Sequence, residues 1–238
     1  MTINLHKKIS ILTSNFIKLG RDIIKWDSFF RKSWSQEGED LILERLFENK
    51  SNGFYIDVGA HHPKRFSNTK LFYDKGWNGI NIDAMPGSMR LFEKYRPRDI
   101  NLEKPISNKN QILTYYAFNE PALNGFSKEL SEQRNGKGNY FIKFTKDFET
   151  ITLEKVLDEH LPLNQKIDFL SIDVEGLDYE VLISNNFDKY QPKIILIEIL
   201  DKNMTDIENN NISKFLNKYR YTIYAKTINT VFFISNEI

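Results

Sequence analysis

The chain has 238 residues, 40% hydrophobic, 27% charged and 13% aromatic, with a formal net charge of +1. That length suits one α/β domain with an extension, and that composition excludes the disordered and membrane-spanning classes. A near-neutral charge gives no whole-molecule field for nucleic acid, and the absence of cysteine excludes disulfides, a thiolate nucleophile and cysteine-ligated zinc. No signal-peptide h-region and no run of roughly 20 apolar residues is present, so a cytoplasmic protein is expected.

Residues 1–34 stand apart. Leu5, Ile9, Leu12, Phe16, Leu19, Ile23, Trp26 and Phe30 step by fours and threes, the spacing of a helix seam, and Lys7, Lys8, Lys18, Arg21 and Lys25 make the segment basic. The reading is an amphipathic, basic N-terminal helical extension. It packs on its own domain, pairs two copies as a homodimer, or rests peripherally on the inner face of a membrane.

Residues 35–238 form the main domain. SQEGEDLILERLF is a short helix with acids in its first turn, GFYIDV a strand, and SNTKLFYDKG a helix closed by glycine. GINID, the MPGSMRLFEKY helix and RDINLEKPIS continue a βαβ rhythm, which implies a parallel sheet with right-handed crossovers. The aromatic, β-branched middle breaks it: ILTYYAF, PALNGFS and YFIKFTKDFETITL read as extra strands, with QRNGKGN as a polar loop. The rhythm resumes with the TLEKVLDEHL helix, the KIDFLSID strand, the GLDYEVLIS helix, the apolar strand KIILIEIL and the ISKFLNKY helix. YTIYAKT and TVFFIS need a hairpin, so a Rossmann-like, doubly wound sheet ends in an antiparallel pair.

Ligands of such sheets bind beyond the carboxyl ends of the strands, near the reversal of strand order. Asp57, Asp83, Asp173, Glu175 and Glu198 all fall at or near strand ends. One such acid is commonly a helix cap; several together favour a site. Gly59 permits a tight turn and close backbone approach, and Asp83 is placed to accept hydrogen bonds from a ribose diol. GxGxxG is absent, because His61 and His62 occupy the loop, so cradling of a pyrophosphate is poorly supported. A sulfonium cofactor without phosphate fits better, with Asp57 as the anionic partner of its amine.

SQEGEDLIL, FYIDVGAHHPKRFSNT, GINIDAMPG, EPALNGFS, FLSIDVEGLDYEVL and PKIILIEI, in this order, resemble the FkbM-type methyltransferases, a branch of the class I S-adenosylmethionine (SAM)-dependent enzymes. The resemblance runs from Ser35 to the C-terminus. It implies a seven-stranded sheet with an antiparallel last pair. It also implies O-methylation, frequently of sugar hydroxyls in surface polysaccharides such as capsule, in antibiotics or in lipids. By position, it puts Asp57 and Gly59 at the methionine part of SAM, Asp83 at the ribose, Ser107 near adenine, and Gln36 where it closes over the cofactor. His61 and His62 depart from the small residues usual in the loop, and Ala84 stands where a proline is common.

The expected chemistry is in-line methyl transfer to a sugar hydroxyl, on a nucleotide-activated sugar or a growing glycan. Asp173, Glu175, His61 and His62 are the candidates to take the proton. A divalent metal (Mn, Fe or Mg) held by Asp173, Glu198 and His62 is the alternative way to acidify it. Two other functions compete: a nucleotide-sugar or NAD-binding oxidoreductase on the same sheet, and a non-catalytic assembly protein working through its N-terminal helix.

Overall fold

The computed structural model describes residues 30–201 and 203–236. The N-terminal extension expected over residues 1–34 lies outside the described residues, except for residues 30–34, which carry no helix. From residue 33 onward the chain forms one unit.

Helix α1 (Glu39–Leu46) leads into β1 (Phe54–Val58), α2 (Lys70–Asp74), β2 (Asn78–Asp83), α3 (Met89–Tyr95) and β3 (Ile100–Glu103). After the middle segment come α5 (Leu153–His160), β6 (Phe169–Ile172), α6 (Asp178–Ile183), β7 (Ile194–Glu198), α7 (Met204–Asn209), α8 (Asn211–Lys218), β8 (Tyr221–Lys226) and β9 (Thr230–Ser235). The middle itself holds β4 (Ile112–Phe118), α4 (Lys128–Arg134) and β5 (Ile142–Glu149).

Seven strands pair in the order β3-β2-β1-β6-β7-β9-β8. The first five are parallel, and β9 runs antiparallel to both β7 and β8. The expected α/β doubly wound sheet with its C-terminal hairpin is therefore the observed one. Its strand order reverses between β1 and β6, where chain leaving β1 goes one way and chain leaving β6 the other.

Alternation along β1 shows why the sheet is buried on both sides. Phe54, Ile56 and Val58 join one apolar cluster with Ile80, Leu170, Ile195 and Ile197, while Tyr55 joins a second with Phe72, Trp77, Phe169 and Leu196. Successive strand residues point to opposite faces, so a run without polar interruptions fills both layers.

The middle segment differs from expectation. β4 and β5 do form a separate antiparallel ribbon, but PALNGFS is no strand. Pro121 starts a single 3-10 turn, Pro121–Leu123, whose Ala122 N–H is capped by the Glu120 side chain. Only Gly125 bridges to β4, opposite Tyr116. Helix α4 was not anticipated, nor was α7; the Ser127 hydroxyl caps the Leu130 N–H and the Asn203 side chain caps the Asp206 N–H. Both helices are under two full turns, too short for a periodic apolar face, so their caps were the only local signal.

Candidate active site

β1 ends with Asp57 aimed into the space above the sheet, 5% exposed. The Thr69 hydroxyl donates to Asp57 Oδ2 at 2.9 Å, the Ser171 hydroxyl also bonds the carboxylate, and Asn68 Nδ2 donates to Ser171 Oγ at 3.1 Å. Burial pushes the Asp57 pKa up; the Arg96 guanidinium and the two hydroxyls oppose that rise.

The chain then turns at Gly59, at φ 83°, while the Gly59 and Ala60 N–H groups still bond the Ile82 carbonyl at 2.9 and 3.0 Å. A Cβ built at Gly59 would lie 1.7 Å from the Asp173 carbonyl oxygen. The close approach expected of this glycine is thus to the tip of β6, a backbone-to-backbone contact across the strand-order reversal. His61 follows at φ 52°, an uncommon conformation for a residue with a Cβ. What holds it there is Asp83: the His61 N–H donates to Asp83 Oδ2 at 2.8 Å, and the Met85 N–H to Oδ1 at 2.7 Å. Asp83 therefore clamps the β1 and β2 tips together. Its burial raises its pKa, and the two backbone donors and the Ser88 hydroxyl act against the rise.

Across the reversal, β6 delivers Asp173, Val174 and Glu175. The Asp178 carboxylate binds the Val174 and Gly176 N–H groups at 3.0 and 3.1 Å and so rounds the loop into α6. Glu175, at φ 56°, pairs with Arg134 of α4 at 2.6 Å, which ties the inserted middle segment to the β6 tip. Asp173 is exposed and lines the cleft. Desolvation by the atoms packed around it, with the charges of Glu198, Asp178 and Glu175 nearby, raises its pKa well above its ordinary value. Burial and neighbouring acids also raise Asp178 to about 6 and Glu198 to about 8.

The cleft between these tips encloses about 1000 Å³, open solvent included. Of the candidate residues, Gln36, Asp57, Gly59, His61, Asp83, Asp173 and Glu175 line it. Three expected residues do not line it. Ser107 is fully buried, accepting from Gln111 Nε2 at 3.2 Å, and its neighbour Ile106 takes the wall position. His62 turns its Nδ1 back to accept the Lys64 and Arg65 N–H groups, both at 3.0 Å, so its ring caps a turn. Glu198 sits at the end of β7, outside the wall. Among the described residues no group of three or more His, Asp or Glu side chains is arranged to hold a metal ion, so the set Asp173, Glu198 and His62 is not assembled.

His61 is left uncharged at neutral pH: burial, then Arg65 and His62, lower its pKa to about 4. Its Nε2 is buried without a partner, and its ring stacks on Phe66 with centroids 6.3 Å apart. The cleft also has walls that are not among the candidate residues: Asn68, Lys104, Tyr115, Asn124 and Phe126. Tyr115 comes from β4, a strand expected from ILTYYAF in the aromatic middle segment, while Asn124 and Phe126 come from PALNGFS, whose irregular fold carried no legible signal. Asn68 lies in the SNT that opens α2, a stretch that reads as a helix start.

The lining of the cleft fits SAM: an acid for a cationic amine at Asp57, an acid for a diol at Asp83, and apolar Ile82 and Ile106 nearby. A doubly wound sheet closed by an antiparallel hairpin, with its cleft at the reversal of strand order, has the architecture of the class I methyltransferases. The Methyltransferase FkbM domain matches residues 57–223, from the Asp57 tip into β8, and the chain belongs to that family. It is also similar to the uncharacterized protein MG218.1 of Mycoplasma genitalium, at 25% identity over 138 residues; the match covers 56% of this chain and 39% of that protein's length. Among the described residues, no helix is long and apolar enough to cross a membrane.

Proposed function

We propose that the protein is a SAM-dependent O-methyltransferase acting on a sugar hydroxyl, carried by a nucleotide-activated sugar or by a glycan. The chemistry supplied by a bound SAM is a sulfonium methyl group that passes in line to an oxygen. In this reading Asp57 holds the amino end of the donor, Asp83 the ribose diol, and Gln36 covers the cleft. Asp173 takes the proton of the acceptor hydroxyl.

The observation that carries the assignment is the contrast among the acids at the β6 tip. Glu175 is paired with Arg134 and Asp178 is spent on two backbone N–H groups, whereas Asp173 opens to the cleft with its pKa pushed far up. A general base works best with its pKa near the operating pH. His61 is too weak a base for the role, and His62 is occupied in its turn. The family membership supports the methyl-transfer class, and the polar walls of the cleft support a hydroxylated acceptor.

Calorimetry with S-adenosylhomocysteine tests the donor side, with saturable one-to-one binding expected; no binding by the intact protein overturns it. Mass spectrometry of a panel of nucleotide sugars incubated with SAM tests the acceptor side. A gain of one methylene on a sugar is expected, and a gain on a nitrogen or carbon acceptor instead defeats the O-methyl reading.

A further inference from the structure

Arg96, after α3, is 0% exposed and hydrogen-bonds no carboxylate; its ion pair, with Asp99, is a long one. Its nearest acid, Asp99, is 4.0 Å away and already accepts from the Tyr55 hydroxyl, Asn81 Nδ2 and the Gly79 N–H. The guanidinium instead spends its donors on the loop between β1 and α2. Nε and Nη2 donate to the Pro63 carbonyl at 3.1 and 2.7 Å, Nη2 to Ser67 Oγ at 2.6 Å, and Nη1 to Thr69 Oγ1 at 2.6 Å. Thr69 passes its own hydrogen to Asp57 Oδ2, so a chain of two hydrogen bonds runs from the buried cation to the cleft acid.

A buried charge whose ion pair is long and carries no hydrogen bond is expensive, and a loop needs no arginine merely to turn. What the planar fork provides is three fixed donor directions at once, which an ammonium does not. We propose that Arg96 is the positioning residue for Asp57: through Pro63, Ser67 and Thr69 it sets the loop that walls the cofactor cleft, and through Thr69 it holds Asp57 oriented and ionised for a cationic amine. The proposal rests on the reading of Asp57 as the acid that meets the methyl donor.

The charged and titratable groups facing Asp57 are Arg96, Asp83 at the β2 tip, Asp173 at the β6 tip, and Tyr55 on its own strand. Arg96 is the cation among them, so its removal leaves Asp57 to desolvation and to like charge. The Asp57 pKa then rises further, and the carboxylate is lost first as pH falls.

The test is the pH dependence of S-adenosylhomocysteine binding by calorimetry between pH 6 and 9, for the wild type, Arg96→Met, Arg96→Lys and Thr69→Val, with circular dichroism and melting curves for each. Arg96→Met is expected to bind at least tenfold more weakly at neutral pH and to regain affinity as pH rises, more steeply than the wild type. Arg96→Lys keeps the charge but not the fork, so its affinity falls while its pH slope stays that of the wild type. Thr69→Val, which removes only one hydroxyl, weakens binding several-fold and serves if Arg96→Met fails to fold. Wild-type affinity in folded Arg96 and Thr69 variants overturns the proposal, and so does a loss with pH slopes parallel in Met and Lys. Failure of the wild type itself to bind defeats the donor reading of Asp57 and this proposal with it.

Discussion

The two sides of the strand-order reversal treat their acids in opposite ways. On the β1–β2 side, Asp57 and Asp83 are met by backbone N–H groups, hydroxyls and the field of Arg96, which stabilise their charge against burial. On the β6–β7 side, Asp173, Asp178 and Glu198 crowd one another, and Arg134 is drawn to Glu175. The first arrangement favours the charged form of its acids and the second favours the protonated form. In the proposed reading, one rim of one sheet separates binding from proton transfer, over the contact between Gly59 and the Asp173 carbonyl.

The strongest way to break this division is Asp173→Asn. Loss of a general base is expected to lower kcat by about 10²–10⁴-fold, with S-adenosylhomocysteine affinity close to wild type; a large loss of affinity with kcat intact reverses the assignment. Gly59→Ala attacks both sides together, since its Cβ would meet the Asp173 carbonyl in a left-handed turn. The strain is expected to cost about 3 kcal/mol or more, seen as a drop in the denaturant midpoint. Asp83→Ala removes a clamp as well as a ligand acceptor, and a loss of roughly 1–3 kcal/mol in S-adenosylhomocysteine binding is expected by calorimetry.

Smaller effects sharpen the comparison through pH. Asp178 and Glu198 have folded-state pKa values of about 6 and about 8, above the value near 4 of an unfolded carboxylate. Between those limits these two acids hold more protons in the folded chain than in the unfolded one, so the stability they contribute declines as pH rises to about 8; above about 6.5, where the lowered His61 and His62 no longer act the other way, the whole chain follows them. Melting temperature against pH checks this, and a rising curve contradicts it. Glu198→Gln removes the group that rises to about 8, so it is expected to flatten the upper part of that curve.

Legibility followed the length and regularity of the elements. The alternation of mostly apolar strands such as FYIDV and KIILIEI with helices announced a parallel sheet, and the turn between YTIYAKT and TVFFIS announced the hairpin. Short elements were harder: α4 and α7 rest on single caps, and PALNGFS is held by Pro121 and one bridge to β4 rather than by strand pairing. In the site, residues at strand tips were found because topology puts strand tips at the cleft. Asn68, Tyr115 and Asn124 were not, because they arrive from a loop and from the inserted middle segment. Ser107 and His62 do not line the cleft for one reason: position along the chain places a backbone near the cleft but does not aim its side chain.

By itself, then, the order of apolar runs and turn residues determined the doubly wound sheet, its closing hairpin and the line of acids along one rim, since these depend on local periodicity and chain direction. What only the tertiary structure decided was the state of each acid. Whether a carboxylate sits opposite a backbone N–H, a buried guanidinium or another carboxylate depends on residues far apart in the chain, and Arg96 acting on Asp57 through Thr69 is the clearest case. Charge and proton affinity are set by those neighbours, because the electrostatics of a buried group is a property of its surroundings and not of its place in the sequence.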